Sequence, residues 1–180
     1  LGGIVGEMEN GNIETVHNSG HIILIGGTNQ DSEYDCIGGV IGTGRGVSVY
    51  NAYNSGLVEA EGVRMISAGG IIGSIRRYAI YGDHYKITGY INSQIRDSTN
   101  AGGLSITNMN DYINYGACIG GIAGNNEGIL SNVRNSGKLL FMGTAGEIGG
   151  IAGGSYNKDN IVNIGVVEEA YNTGKIEASV

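Results

Sequence analysis

Arg76, Arg77 and Tyr78, followed by Asp83, His84 and Tyr85, are the residues whose types and crowding could do binding chemistry. They open the most polar and aromatic stretch of the chain, which runs through Lys86 to Arg96 and Asp97. Tyr offers flat apolar area to a sugar ring or a protein, and Arg and Asp add charge-assisted hydrogen bonds. The six residues are therefore predicted as a ligand-binding surface within residues 76–97, for a host glycan or an extracellular protein. The competing explanation is a β wall that displays Tyr and mixed charge for strand propensity and solubility alone.

Other constellations lack the pattern their chemistry needs. His17 and His21 stand four apart, a metal-binding spacing on a helix, but Asn18-Ser19-Gly20 places a turn between them and no third ligand is evident. His-Glu-x-x-His is absent. Asp31, Glu33, Asp35 and Asp83 are scattered, with no repeated pair for acid and base work. Lys158-Asp159, flanked by Asn157 and Asn160, reads as a loop rather than a calcium site. Phosphate-binding, Ser-His-Asp and zinc signatures are also missing. The chain is read as non-enzymatic, with no metal and no cofactor. A polysaccharide-active β-helix enzyme is the alternative, although architecture alone transfers no activity.

Whatever these residues do, a repeat must position them. The phrase Gly2-Gly3-Ile4-Val5-Gly6 returns as GGVIG at 38, GGIIG at 69, AGGLS at 101, and GGIAG at 120 and 149. Its Gly pairs begin at 2, 38, 69, 102, 120 and 149, in steps of 36, 31, 33, 18 and 29 residues. A period near thirty is the mark of a solenoid or an array. Composition agrees: 35 Gly, no Pro, no Trp and one Phe among 180 residues suit short strands and tight turns. The formal charge of −7, with no basic run beyond Arg76-Arg77, argues against a nucleic-acid partner. The Ile22 to Ile25 run is strand-length, far below the ~20 apolar residues of a membrane span.

A second phrase fixes inside and outside. It reads Asn18-Ser19-Gly20, Asn54-Ser55-Gly56, Asn135-Ser136-Gly137 and Asn172-Thr173-Gly174. Four residues beyond the Asn stand Ile22, Val58, Leu139 and Ile176, and six beyond stand Leu24, Ala60, Phe141 and Ala178, an apolar face of period two. Position three beyond the Asn (His21, Leu57, Lys138, Lys175) and the position just before it (His17, Tyr53, Arg134, Tyr171) face solvent. Val16, Ala52, Val133 and Ala170, with Ile13, Val49, Leu130 and Val167, complete the core columns. Asn and Gly at the corner supply turn chemistry. Between 74 and 118 the pattern wears: Ile87-Thr88-Gly89 takes the place of the Asn phrase with Ile91 inward, and the unit at 102 is compressed. Gly26 to Asp35 and Ser155 to Asn163 are predicted surface loops.

Each unit offers too few strands to bury its own apolar face, and stacking solves that. The predicted fold is all-β: a β-solenoid, read as a right-handed parallel β-helix of about five to six irregular coils. It forms a single repeat domain over residues 1–180. A β-sandwich or a partly antiparallel array is the competing arrangement. Cys36 and Cys118 fall on one repeat position; two or three coils between them set their Cα atoms ~10 to 15 Å apart, too far for a disulfide, so two inward or half-buried thiols are expected.

The coupling of GGIVG-like phrases to Asn-Ser-Gly or Tyr171-Asn172-Thr173-Gly174 at about thirty residues per cycle resembles the GLUG motif repeats. These occur in secreted or wall-anchored bacterial proteins, including adhesin-like proteins and non-catalytic regions of immunoglobulin A1-specific metallopeptidases. The resemblance implies an extracellular or cell-wall-attached β-solenoid that presents or spaces binding domains, and it carries over no catalytic residue. The chain is accordingly expected to be an excerpt of a longer protein, without membrane insertion. End-to-end association of the isolated fragment is also expected, since a cut stack exposes strand edges.

Overall fold

The structure, a computed structural model, describes residues 1–26, 35–63, 66–108, 117–143, 146–154 and 165–179. Its strands follow the repeat. The first unit holds β1 (Val5–Glu9), β2 (Asn12–Asn18), β3 (Ile22–Ile25) and β4 (Asp35–Gly38). The second holds β5 (Ile41–Arg45), β6 (Ser48–Asn54), β7 (Val58–Val63) and β8 (Ile66–Gly69). The third is longer: β9 (Ile72–Arg76), β10 (Tyr78–Tyr81), β11 (Ile87–Ile91), β12 (Gln94–Arg96), β13 (Thr99–Asn100), β14 (Leu104–Asn108) and β15 (Ala117–Gly120). Next come β16 (Ala123–Asn126), β17 (Ile129–Asn135), β18 (Leu139–Met142) and β19 (Gly146–Gly149). The fifth unit holds β20 (Ala152–Gly154), β21 (Val166–Asn172) and β22 (Ile176–Ser179).

Among the described residues the chain is all-β; four of its sheets are parallel, and β10 with β11 forms a two-stranded antiparallel one. Four sheets collect equivalent strands from successive units. The first is β1-β5-β9-β16-β20 and the fourth is β4-β8-β15-β19. The second joins β2, β6, the pair β12 and β13, β17 and β21, and the third joins β3, β7, β14, β18 and β22. Pairing is column on column: Ile22 with Val58, Val58 with Leu104, Leu104 with Leu139, and Leu139 with Ile176. Backbone groups are thus satisfied from unit to unit.

Two expectations for the third unit are corrected. Asn100 pairs with both Asn54 and Asn135, so Asn100-Ala101-Gly102 is the Asn phrase and not a worn Gly-Gly start. Residues 69–119 therefore form one unit in place of two beginning at 69 and 102. Ile87-Thr88-Gly89 is not its corner; it lies in β11, which pairs antiparallel with β10 as a hairpin inserted between β9 and β12. Gly102-Gly103 imitates the Gly pair closely enough to mislead a reading by spacing. The segments 27–34 and 155–164, which include most of the two predicted loops, lie outside the described residues, as does 109–116.

The apolar interior separates into two clusters. One packs Ile41, Ile72 and Ile75 of the first sheet against Val49, Ile95 and Leu130 of the second. The other packs Val58, Ile106 and Phe141 of the third sheet against Ile37, Ile66 and Ile119 of the fourth. Between them the two sequence phrases meet. Asn18 Nδ2 donates to Asn54 Oδ1 at 2.8 Å, and Asn54, Asn100 and Asn135 donate onward in the same way at 2.9, 2.8 and 2.8 Å. Each of these carboxamides also donates to the carbonyl of the Gly two residues on, tying the ladder to its own corners. A Cβ on the second Gly of each pair would strike the Asn side chain, at 2.7 Å between Gly3 and Asn18 Cγ and 2.5 Å between Gly150 and Asn172 Cγ. Buried carboxamides are costly unless bonded, and here each donates twice and also accepts.

A further column went unseen in the sequence. Thr15, Asn51, Asp97, Asn132 and Glu169 stand three residues before each Asn, and all have positive φ between 48° and 55°. The second sheet bends there in every unit. Asn and Asp tolerate this left-handed backbone, whereas Thr and Glu are strained in it.

Cys36 aligns with Ser67, Ser67 with Cys118 and Cys118 with Glu147. Only one unit intervenes between the cysteines, which sets them about 10 Å apart, and neither forms a disulfide. Cys118 is buried and Cys36 half-buried, on the opposite strand face from the core residues Ile37 and Ile119.

Candidate functional site

The end of β9 and the hairpin that follows it carry the predicted binding residues and divide them. Arg76 ends β9, Tyr78 begins β10, and Arg77 joins the two. Arg76 Nε donates to Ser74 Oγ at 3.1 Å, while the Arg77 guanidinium lies 4.5 Å from the centre of the Tyr90 ring, a cation–π contact across the hairpin. Tyr78 packs over Gly46, whose added Cβ would stand 2.6 Å from the Tyr78 Cβ. These three residues form the neck. Ser93 closes it from the other side, accepting from the Val47 amide at 3.0 Å and donating to the Arg76 carbonyl.

Asp83, His84 and Tyr85 sit at the far end, in a single 3-10 turn after β10. His84 and Tyr85 both have positive φ, 58° and 56°. Tyr85 is 90% exposed and Tyr81 60% exposed. Four residues of strand separate tip from neck, about 13 Å, so the six residues form two groups and not one cluster.

The other sequence candidates also separate. His17 Nε2 meets Ser55 Oγ at 3.0 Å and His21 Nε2 meets Glu59 Oε2 at 2.9 Å, so the two rings serve different neighbours. Asp35 lies on β4, where burial pushes its carboxyl up and the terminal amino group opposes that in part, whereas Asp83 is at the hairpin tip. Asp31, Glu33 and the Lys158-Asp159 pair are outside the described residues. Among the described residues no group of three His, Cys, Asp or Glu side chains is placed to hold a metal ion.

A second surface, which sequence reading did not single out, runs along the Asn corner. The column just before the ladder is His17, Tyr53, Thr99, Arg134 and Tyr171. His17 and Tyr53 rings are tilted against each other at 4.9 Å, and the Arg134 guanidinium lies 5.5 Å from the Tyr171 ring centre. Thr99 is small between large neighbours and leaves a dent. An open pocket of about 360 Å³ results, lined by Thr99, Arg134, Asn135, Ser136, Tyr171 and Thr173. Beside it Lys138 and Lys175 both pair with Glu177. Their hydrogen bonds pull the Glu177 carboxyl down to about 2. The alignment of Asn phrases had marked His17, Tyr53, Arg134 and Tyr171 as solvent-facing; the dent was hidden because Thr99 precedes the Asn that was misassigned.

No family model, no curated protein and no solved structure matches the chain.

Proposed function

We propose that the chain is a β-solenoid, a right-handed parallel β-helix of five stacked coils, acting as a non-enzymatic structural or adhesive module. In this reading it belongs to a bacterial cell-surface or secreted protein and presents or spaces binding domains outside the cell. The observation that supports it most is the unbroken asparagine ladder from Asn18 to Asn172, which aligns one residue per unit across five units. Such alignment makes a stiff element of fixed rise, ~4.8 Å per layer. The resemblance to GLUG motif repeats supports the extracellular setting.

Small-angle scattering on the chain and on its tandem duplicate tests the reading. The duplicate is expected to be longer by about 24 Å, with an unchanged cross-section radius. Growth in cross-section would overturn it. Incubation with polysaccharides tests the enzymatic rival, and release of new reducing ends would favour that rival.

A second reading has its own observation. The hairpin tip offers Tyr81 and Tyr85 to solvent, a shape suited to gripping a glycan or protein partner through residues 76–97. Saturable binding lost on combined alanine substitution of Arg76, Arg77 and Tyr85 would establish it.

A further inference from the structure

The corner pocket gathers a cation and hydroxyl groups in one place. The protein carries a formal charge of −7, yet the pocket lining holds one guanidinium and no carboxylate. Arg134 reaches it from β17 with its guanidinium carbon 5.5 Å from the Tyr171 ring centre, so its fork of donors is partly ordered before any ligand arrives. Thr99, Ser136 and Thr173 add hydroxyl groups; those of Ser136 and Thr173 donate to the Asn100 and Asn135 carbonyls at 3.5 Å and keep their oxygens as acceptors. Further along the same column Tyr53 is exposed and supplies a flat apolar face. At about 360 Å³ the pocket is at the small end of ligand sites.

The ligand class follows from what is available and what is not. A planar guanidinium matches a carboxylate bidentately. A few hydroxyl groups set in a largely apolar wall beside a Tyr face suit a sugar ring, whose polar edge and apolar face need both. A peptide strand would want main-chain partners, but β13 is paired on both sides by β6 and β17, and β17 by β13 and β21. Side chains alone do the recognising here. The column also repeats at ~4.8 Å per layer, which provides a track for an extended chain of sugars.

We propose that the pocket bounded by Thr99, Arg134 and Tyr171 is a subsite for a carboxylate-bearing sugar, a uronate unit of an acidic polysaccharide lying along the stacked columns. Arg134, braced by Tyr171, takes the carboxylate, and Thr99, Ser136 and Thr173 take ring hydroxyls. The proposal rests on the adhesive form of the reading above and moves recognition from the hairpin to the Asn corner.

The test is an amide-resolved NMR titration of the whole chain with tetragalacturonate, beside the same oligomer with its carboxyls methyl-esterified and an acidic peptide of four glutamates. Saturable shifts are expected at Thr99, Arg134, Ser136, Tyr171 and Thr173 with the free acid. Arg134→Gln is expected to weaken binding by about tenfold. Thr99→Tyr, a residue the same column accepts at 53 and 171, is expected to fill the dent and abolish binding without lowering the thermal midpoint. Arg45→Gln, on β5 of the first sheet, should leave affinity unchanged. Absence of saturable binding, equal affinity for the ester, equal affinity for the peptide, or shifts confined to residues 76–97 would each overturn the proposal. Scattering from the same samples separates the two failures: an intact stack that does not bind leaves the structural module standing.

Discussion

A β-carbon on Gly121 would stand 2.5 Å from Nδ2 of Asn135, the ladder residue of the same unit. The corner that carries the Gly pair and the corner that carries the Asn therefore touch across the interior, and neither phrase can be read alone. Gly121→Ala must push the carboxamide off its bonds to Gly137 and Asn172. The expected loss is about 2 kcal/mol or more, measured by urea unfolding. Gly6 is the matched control, because a Cβ there meets nothing within 4 Å, and Gly6→Ala should stay within about 1 kcal/mol of the parent. Equal costs at the two positions would contradict the packing role of the second Gly.

Position along the ladder should set the cost of breaking it. Asn100 is fully buried, and its carboxamide bonds Asn54, Gly102 and Asn135. Asn100→Ala strands the Asn54 donor and the Asn135 acceptor, and the expected loss is about 3 kcal/mol. Asn172 is exposed, so Asn172→Ala should cost about 1 kcal/mol. Thermal or urea unfolding of both variants checks the ordering, and a reversed order would remove the ladder from the account of stability.

Glu169 holds a left-handed backbone, φ 48°, at the column where other units place Asn51, Asp97 and Asn132. Glu gains nothing there, while Asn accepts the conformation more readily. Glu169→Asn is expected to stabilise by about 0.5 to 1 kcal/mol. A loss of stability on urea unfolding would show that the bend relaxes in the fifth unit.

How far the sequence could be read depended on the kind of signal. The columns of Ile22, Val58 and Leu139 stood out because alternation of period two leaves its mark in side-chain type. The left-handed column did not, since Thr, Asn, Asp, Asn and Glu share no visible property and the constraint acts on backbone. The third unit misled by arithmetic: Gly89 to Gly102 and Gly56 to Gly69 are both 13 residues, which drew the Asn phrase onto the hairpin and away from Asn100. Arg76, Arg77, Tyr78, Asp83, His84 and Tyr85 were singled out together by type, but spacing could not tell that a hairpin carries the last three away from the first three. The dent at Thr99 is a feature of neighbours in different units and has no signature along the chain.

The hairpin should be separable from the stack. Its neck is held by Ser93 against Arg76 and Val47, and β9 and β12 keep register with the second unit on their own. Replacing residues 78–91 by a two-glycine link is expected to retain one cooperative thermal transition. Loss of cooperative unfolding would mean that the hairpin supports the stack.

The central claim, five units stacked in register, is tested most directly by one distance. Glu14 and Glu168 are exposed and occupy one column, joined through Tyr50, Arg96 and Ser131. Four layers separate them, about 19 Å. Spin labels at Glu14→Cys and Glu168→Cys, in a background with Cys36→Ser and Cys118→Ser, report that separation by dipolar spectroscopy. A single narrow distribution centred near 19 Å, widened only by the label tethers, is the predicted result. A broad distribution, or a centre beyond about 30 Å, would contradict the stacked arrangement and with it the structural reading of this chain.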